Sequence, residues 1–240
     1  MKTKTNVIDR IRHYSSGKKY FSFKGLKLYL KNEDPNLKEN TLKSALSRLK
    51  ANEEIYDAGK GYYSLIKDNF VPDEKPVRRL KNLLKEKYPF LDYYLWSTDQ
   101  INVAFHHTFT SSVTFIHAEE DFLDSIKDSL RSPKYSVFVN PSIKLEIDKY
   151  VELDKDTIIL RPSITRVSAK NHDVNIETIL VDLFLERKRL ILFDKSEYDR
   201  IFDYFISNYR LDIGYLLKYS ARRKVQEDFI SKLETHTITT

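Results

Sequence analysis

Between Lys38 and Ala51 the chain reads KENTLKSALSRLKA, with Leu42, Ala45, Leu46 and Leu49 at the i, i+3, i+4, i+7 spacing that puts apolar side chains on one stripe of a helix. The opposite face carries Asn40, Ser44, Ser47 and Ala51 at its centre, with Thr41 and Arg48 on one edge and Lys43 and Lys50 on the other. Small polar side chains in the middle and cations at the rim suit a helix lying in a DNA major groove, where base edges face the centre and phosphates the margins. An ordinary amphipathic surface helix has the same stripe, so the flanking segments decide between the two readings.

Upstream, Val7, Ile8 and Ile11 share one face of a first helix that Ser15, Ser16 and Gly17 bring to an end. Ser22 follows Phe21 as an N-cap for a second helix bearing Leu26, Tyr29 and Leu30, and the turn residues Asn32 to Pro35 close it. Downstream, Ile55 and Tyr56 and then Tyr62 to Ile66 have strand character on either side of Gly59, Lys60 and Gly61. Three helices and a hairpin within 65 residues is the order of a winged helix-turn-helix, with Lys60 at the tip of the wing. Winged helices also serve protein contacts, so the order by itself does not establish DNA binding.

The stretch Asp68 to Pro76, DNFVPDEKP, has two prolines and little apolar content, and predicts a linker. The expected division is a DNA-binding domain over residues 1–67, a linker over 68–76 and a second domain over 77–240. That second domain opens with a helix from Val77 to Tyr88, Leu80, Leu83 and Leu84 facing inward and Arg78, Arg79, Lys81, Lys85 and Lys87 outward. Short β-branched and aromatic runs follow at Tyr93 to Trp96, Val113 to Ile116, Val137 to Val139 and Ile158 to Leu160, with a helical stripe of Phe122, Leu123, Ile126 and Leu130 between the second and third. Past Ile176 the periodicity is helical throughout, with apolar sets at Ile179 to Phe184, Tyr198 to Phe205, Ile213 to Tyr219 and Val225 to Leu233. The fold class expected is α/β (α+β): an N-terminal winged helix-turn-helix followed by a larger α/β domain with a helical C-terminal layer.

Charge is unevenly distributed over this plan. The net charge is +6, yet residues 1–70 hold 15 Lys+Arg against 8 Asp+Glu, leaving 26 against 27 for the remainder. A basic front domain on a near-neutral body suits contact with a polyanion through the front domain alone. The chain has no cysteine, which excludes disulfides and thiolate metal sites and fits a reducing cytoplasm. No apolar run approaches the ~18 residues a bilayer span requires, so no membrane partner is expected.

Candidate chemistry is sparse. Gly occurs five times, never in a GxGxxG or GxxxxGK[ST] pattern, so the common phosphate-cradling loops are absent and no nucleotide cofactor is expected. His106 and His107 are adjacent, which is not the same-face spacing of a helical metal site. Glu186, Arg187 and Lys188 spell the ExK of a nuclease half-site, with Asp182 four residues earlier, but LVDLFLERKRL is helical in period where such a motif needs a strand. The reading favoured for Asp182 and Glu186 is surface pairing with Lys188 and Arg189 near a helix end. No catalytic residue, cofactor or metal is assigned, and the chain does not read as an enzyme.

The order of these segments also resembles a known family. A winged helix, then YLWSTDQINVAFHH, VFVNPS, ETILVDLFLERKRL and LDIGYLLKYSARRK, is similar to the AbiE-type antitoxins, the transcription-regulator component of type IV toxin-antitoxin and abortive-infection systems. The resemblance covers nearly the whole chain, and its most specific pieces are Leu95 to Thr98 with His107, Ile179 to Phe184, and Leu216 to Arg223. It implies that the winged helix binds inverted repeats in the promoter of its own operon and represses it. It implies also that the larger domain opposes a nucleotidyltransferase toxin, with which no stable complex is required. Carried over, DNA contact falls on Asn40, Thr41, Lys43, Ser44, Ser47, Arg48, Lys50 and Lys60. The antitoxin surface falls on Lys218, Arg222, Arg223 and Lys224. Two other classes fit the same sequence: a nuclease-like or nucleotidyltransferase-like enzyme tethered to DNA by the winged helix, and a standalone regulator whose second domain senses a ligand or a partner protein.

Overall fold

A computed structural model describes residues 6–105, 112–141, 156–163, 172–190 and 194–236. In chain order the first elements are α1 (Val7–Ser15), β1 (Tyr20–Ser22), α2 (Phe23–Glu33), α3 (Glu39–Ala51), β2 (Tyr56–Asp57) and β3 (Tyr62–Ser64). Next come α4 (Arg78–Lys87), β4 (Tyr93–Ser97), β5 (Val113–Ala118), α5 (Leu123–Ser129), β6 (Tyr135–Val139) and β7 (Asp156–Pro162). The rest is helical: α6 (Ile176–Leu190), α7 (Lys195–Asn208), α8 (Ile213–Arg222) and α9 (Gln226–Thr235). Mixed helix and sheet is therefore the fold class. Among the described residues no helix is long and apolar enough to cross a membrane.

The chain divides into two compact units, one formed by Met1–Phe70 with Phe205–Thr240 and the other by Val71–Tyr204. The first boundary falls inside the expected linker. The second differs from expectation, because the last helices belong with the N-terminal residues and not with the body of 77–240.

In the first unit, Asn6 caps α1 by accepting from the Ile8 N–H (3.3 Å), and the Ser22 hydroxyl caps α2 by accepting from the Gly25 N–H (3.0 Å). Ile11, Phe21, Leu26, Leu30, Leu42, Ala45, Leu46, Leu49 and Ile55 form one core, so the apolar stripes of the three helices meet as their spacing requires. The sheet has the order β1-β3-β2, with both pairings antiparallel, Tyr20 and Tyr56 lying either side of Ser64. The C-terminal segment is fastened to this sheet by main-chain groups. The buried Tyr20 hydroxyl donates to the Tyr209 carbonyl (2.6 Å) and accepts from the Leu211 N–H (2.9 Å). The Arg210 N–H donates to the Asp68 carbonyl (2.7 Å), and the Phe70 ring sits edge-on to Phe205 and Tyr209.

In the second unit the sheet order is β4-β5-β7-β6, with β4 antiparallel to β5 and the other pairings parallel. Strand alternation sends Leu95, Ile116, Ile158 and Leu160 into one core with Leu80 and Leu84 of α4 and Leu123 and Ile126 of α5. Phe122, expected on that inward stripe, lies in a preceding 3-10 turn (Glu120–Phe122) and is exposed. Lys81, expected outward, is buried, its ammonium meeting Asp173 (2.6 Å) and Glu74 (3.2 Å). Burial pulls the Lys81 pKa down, but the hydrogen bonds to Asp173 and Glu74 outweigh it and hold the group above its ordinary value. Together with a hydrogen bond from the Gln100 amide to the Asp73 carbonyl (2.9 Å), this pins the later linker residues onto the second unit.

Candidate nucleic-acid interface

Helix α3 buries Leu42, Ala45, Leu46 and Leu49 and leaves Asn40, Thr41, Lys43, Ser44, Ser47, Arg48 and Ala51 exposed, with Lys50 half-buried. The face singled out from spacing is thus the face this unit leaves in solvent. Its rim is electrostatically graded. Glu39 in the first turn accepts from Lys27 (2.5 Å) and Lys43 (2.8 Å), and these hydrogen bonds lower its carboxyl pKa to about 2. Lys50 meets Asp57 of β2 at 3.0 Å, which ties the last turn of α3 to the hairpin. Lys43 and Lys50 are therefore already paired with carboxylates, whereas among the described residues Arg48 and Lys60 form no ion pair.

The hairpin between β2 and β3 turns through Gly59 and Gly61, both in the left-handed region at φ 90 and 84, which only glycine adopts without strain. The Ala58 N–H donates to the Tyr62 carbonyl and the Tyr62 N–H to the Gly59 carbonyl, each at 3.0 Å, and Lys60 is exposed between them. The tip does not stand free. The Ile213 N–H donates to the Ala58 carbonyl (2.9 Å), and a Cβ on Gly59 would collide with the Asp212 carboxylate. A Cβ on Gly214 would lie 2.8 Å from the Lys60 backbone nitrogen. Two glycines 155 positions apart thus let α8 and the hairpin touch backbone to backbone. Nothing in the local sequence of either segment signals that meeting.

The C-terminal basic residues do not form one surface. Lys218 and Lys224 are exposed, while Arg222 is half-buried with its guanidinium 5.6 Å from the centre of the Tyr219 ring. Arg223 is buried and donates to the Tyr219 hydroxyl (3.0 Å), so its cation is consumed inside the unit and drops out of the expected antitoxin surface. All four lie in the unit that contains α3.

The largest departure from expectation is in the second unit. Tyr94, His117 and Arg161 are register partners across β4, β5 and β7, on the sheet face opposite the Leu95, Ile116 and Leu160 row. Asp182 and Glu186, one turn apart on α6, meet that row. The Tyr94 hydroxyl donates to Asp182 Oδ2 (3.1 Å), and His117 Nε2 lies 3.7 Å from the same oxygen. Arg161 donates through Nε to both Glu186 oxygens (3.0 and 3.1 Å) and through Nη1 to the Pro141 carbonyl (2.8 Å) and Asn140 Oδ1 (3.1 Å). Asp182, Glu186 and His117 are fully buried and Arg161 is 2% exposed, so the expected surface pairing of the two acids is wrong. Arg189 does reach Glu186 (3.3 Å), but as the outermost member of a buried pair. The strand positions of His117 and Arg161 carried the missing signal, readable only with the strand register in hand.

No group of three or more His, Cys, Asp or Glu able to hold a metal occurs among the described residues, and His106 and His107 lie outside them. A family model described as a family of unknown function, DUF6577, matches residues 41–239, and the chain belongs to that family. No curated protein and no solved structure matches the chain.

Proposed function

We propose that this DUF6577 chain is a DNA-binding transcriptional autoregulator and antitoxin of a type IV toxin-antitoxin system, repressing its own promoter and opposing a nucleotidyltransferase toxin. The observation that carries the DNA part is the exposed face of α3, polar at Asn40, Thr41, Ser44 and Ser47, with Arg48 at its edge and the carboxylates of Glu39 and Asp57 paired with lysines at its two ends. In this reading α1 to α3 with the β2–β3 hairpin act as a winged helix-turn-helix, α3 entering the major groove and Lys60 meeting the backbone beside it. Grouping charge by compact unit sharpens the contrast: 21 Lys+Arg against 12 Asp+Glu in the first unit, or +9, and 20 against 23 in the second, or −3. The antitoxin part rests on the resemblance in segment order. The buried pairing of Asp182 and Glu186 favours a structural role for them over the tethered-nuclease reading.

The test is a mobility-shift titration of the full chain on its own promoter and on random duplex. Arg48→Ala should weaken promoter binding by about 1 to 3 kcal/mol and random binding far less. Equal losses on both DNAs would make Arg48 a phosphate contact only, and no shift on either would end the DNA reading. The antitoxin half is checked separately: a nucleotidyltransferase should be encoded beside the chain, and the full chain should restore growth to cells expressing it.

A further inference from the structure

The contact of α8 with the hairpin tip brings a second basic segment to the backbone of Lys60. Gly214 of α8 faces the Lys60 backbone, and residues four apart on a helix lie one above another, so the row that begins at Gly214 continues through Lys218 to Arg222. At a rise of about 1.5 Å per residue, Lys218 stands roughly 6 Å along the axis from the hairpin contact. Lys218 is exposed and among the described residues forms no ion pair. The nearest acid at the junction, Asp212, caps α8 by accepting from the Tyr215 N–H (2.7 Å), an interaction that offsets its charge against the helix dipole. Glycines at 59 and 214 bring the backbones of the two segments into contact, with Lys60 exposed on one and Lys218 exposed one turn beyond the contact on the other.

We infer that Lys60 and Lys218 form a single phosphate-binding strip, so that the DNA-binding surface of this chain is discontinuous in sequence and includes α8. The inference rests on the DNA reading above and extends it to a helix more than 160 residues further along the chain than the recognition face. Its occupant is the backbone of duplex DNA, chosen because the unit carrying the strip has a net charge of +9 and because, among the described residues, neither lysine forms an ion pair with a carboxylate. Lysines on such a strip hold phosphate as point charges and confer no base preference.

The experiment uses the full chain with the single variants Lys60→Ala and Lys218→Ala, the double variant, and Lys85→Ala on the exposed side of α4 in the other unit. Affinity for random duplex and for the promoter is measured as a function of salt. Removing one lysine–phosphate interaction lowers the slope of log affinity against log salt by about 0.9. The strip predicts that reduction for each single variant, about twice it for the double, equal losses on both DNAs, and no change for Lys85→Ala. A cooperative thermal transition at the wild-type midpoint shows that each variant is folded, and Lys218→Arg should restore the slope. If the wild type binds and Lys218→Ala leaves the slope untouched, the strip is wrong while the α3 reading stands. Equal effects of Lys85→Ala and Lys218→Ala would show diffuse charge attraction and overturn it too. Absence of wild-type binding would remove both the reading and the strip.

Discussion

Helices α3 and α6 have similar sequence credentials and opposite fates. Each has an apolar stripe at helical spacing with charged and polar residues between. In α3 the intervening positions are exposed, whereas in α6 Glu177, Thr178, Asp182 and Glu186 are buried along with the apolar residues. The difference lies in what covers each helix. Within its unit α3 lies at the edge, packed on one side only, while the polar side of α6 lies against Tyr94, His117 and Arg161 of the sheet. A charge on a helix is therefore a surface charge only if no partner row is waiting for it.

The sharpest way to break the contrast is Glu186→Ala. It leaves the Arg161 guanidinium buried without its carboxylate and should cost about 3 to 5 kcal/mol, seen as a lower midpoint in urea or heat. A loss below about 1 kcal/mol would mean that Glu186 behaves like a surface residue after all.

A smaller effect is expected at the seam inside the first unit. Tyr20→Phe removes the hydroxyl shared by the Tyr209 carbonyl and the Leu211 N–H, and losing that two-bond bridge should cost about 1 to 3 kcal/mol. Limited proteolysis should then cut first between Tyr209 and Ile213. Unchanged stability would show that Phe205–Thr240 is not held by this bridge.

The two units also differ in how far the sequence makes them legible. The helices α1 to α3, the Ser22 cap and the hairpin are readable because each is specified locally, by stripe, cap and glycine. The strands of the second unit are readable as elements but not as a sheet. Their order, with β7 inserted between β5 and β6, depends on parallel pairings between distant segments. Lys81 illustrates the same limit at one residue: its helical position reads as outward, and only Asp173, some 90 residues later, draws it in. The boundary between Phe70 and Val71 falls in a stretch marked by its composition, whereas the return of Phe205–Thr240 to the first unit has no such mark. A fragment cut near Lys75 would accordingly carry α8 and α9 without the sheet that seats them.

On α3 itself, Ser47→Ala should change folding stability by no more than about 0.5 kcal/mol, since the hydroxyl is exposed and the helix propensity of alanine is favourable. A cost above about 1 kcal/mol would place Ser47 in a packed contact and remove it from the outward face. The smallest effect concerns Glu39. Its carboxyl pKa falls from 4.5 to about 2 through the hydrogen bonds from Lys27 and Lys43, so its contribution is fully present above about pH 4.5 and lost as pH falls through about 2. The thermal-midpoint difference between wild type and Glu39→Gln should shrink over that window, and solvent exposure keeps it small throughout. A difference independent of pH would contradict the pairing.

In the function proposed above, duplex DNA meets the unit holding α3 and not the unit holding α6. Photo-crosslinking of the full chain to promoter duplex, with the attached peptides mapped by mass spectrometry, tests it most directly. Crosslinks should fall within Glu39–Ala51, at the hairpin around Lys60 and on α8 near Lys218, and should disappear as salt is raised. Crosslinks concentrated in residues 77–190, or persisting unchanged in high salt, would contradict the account.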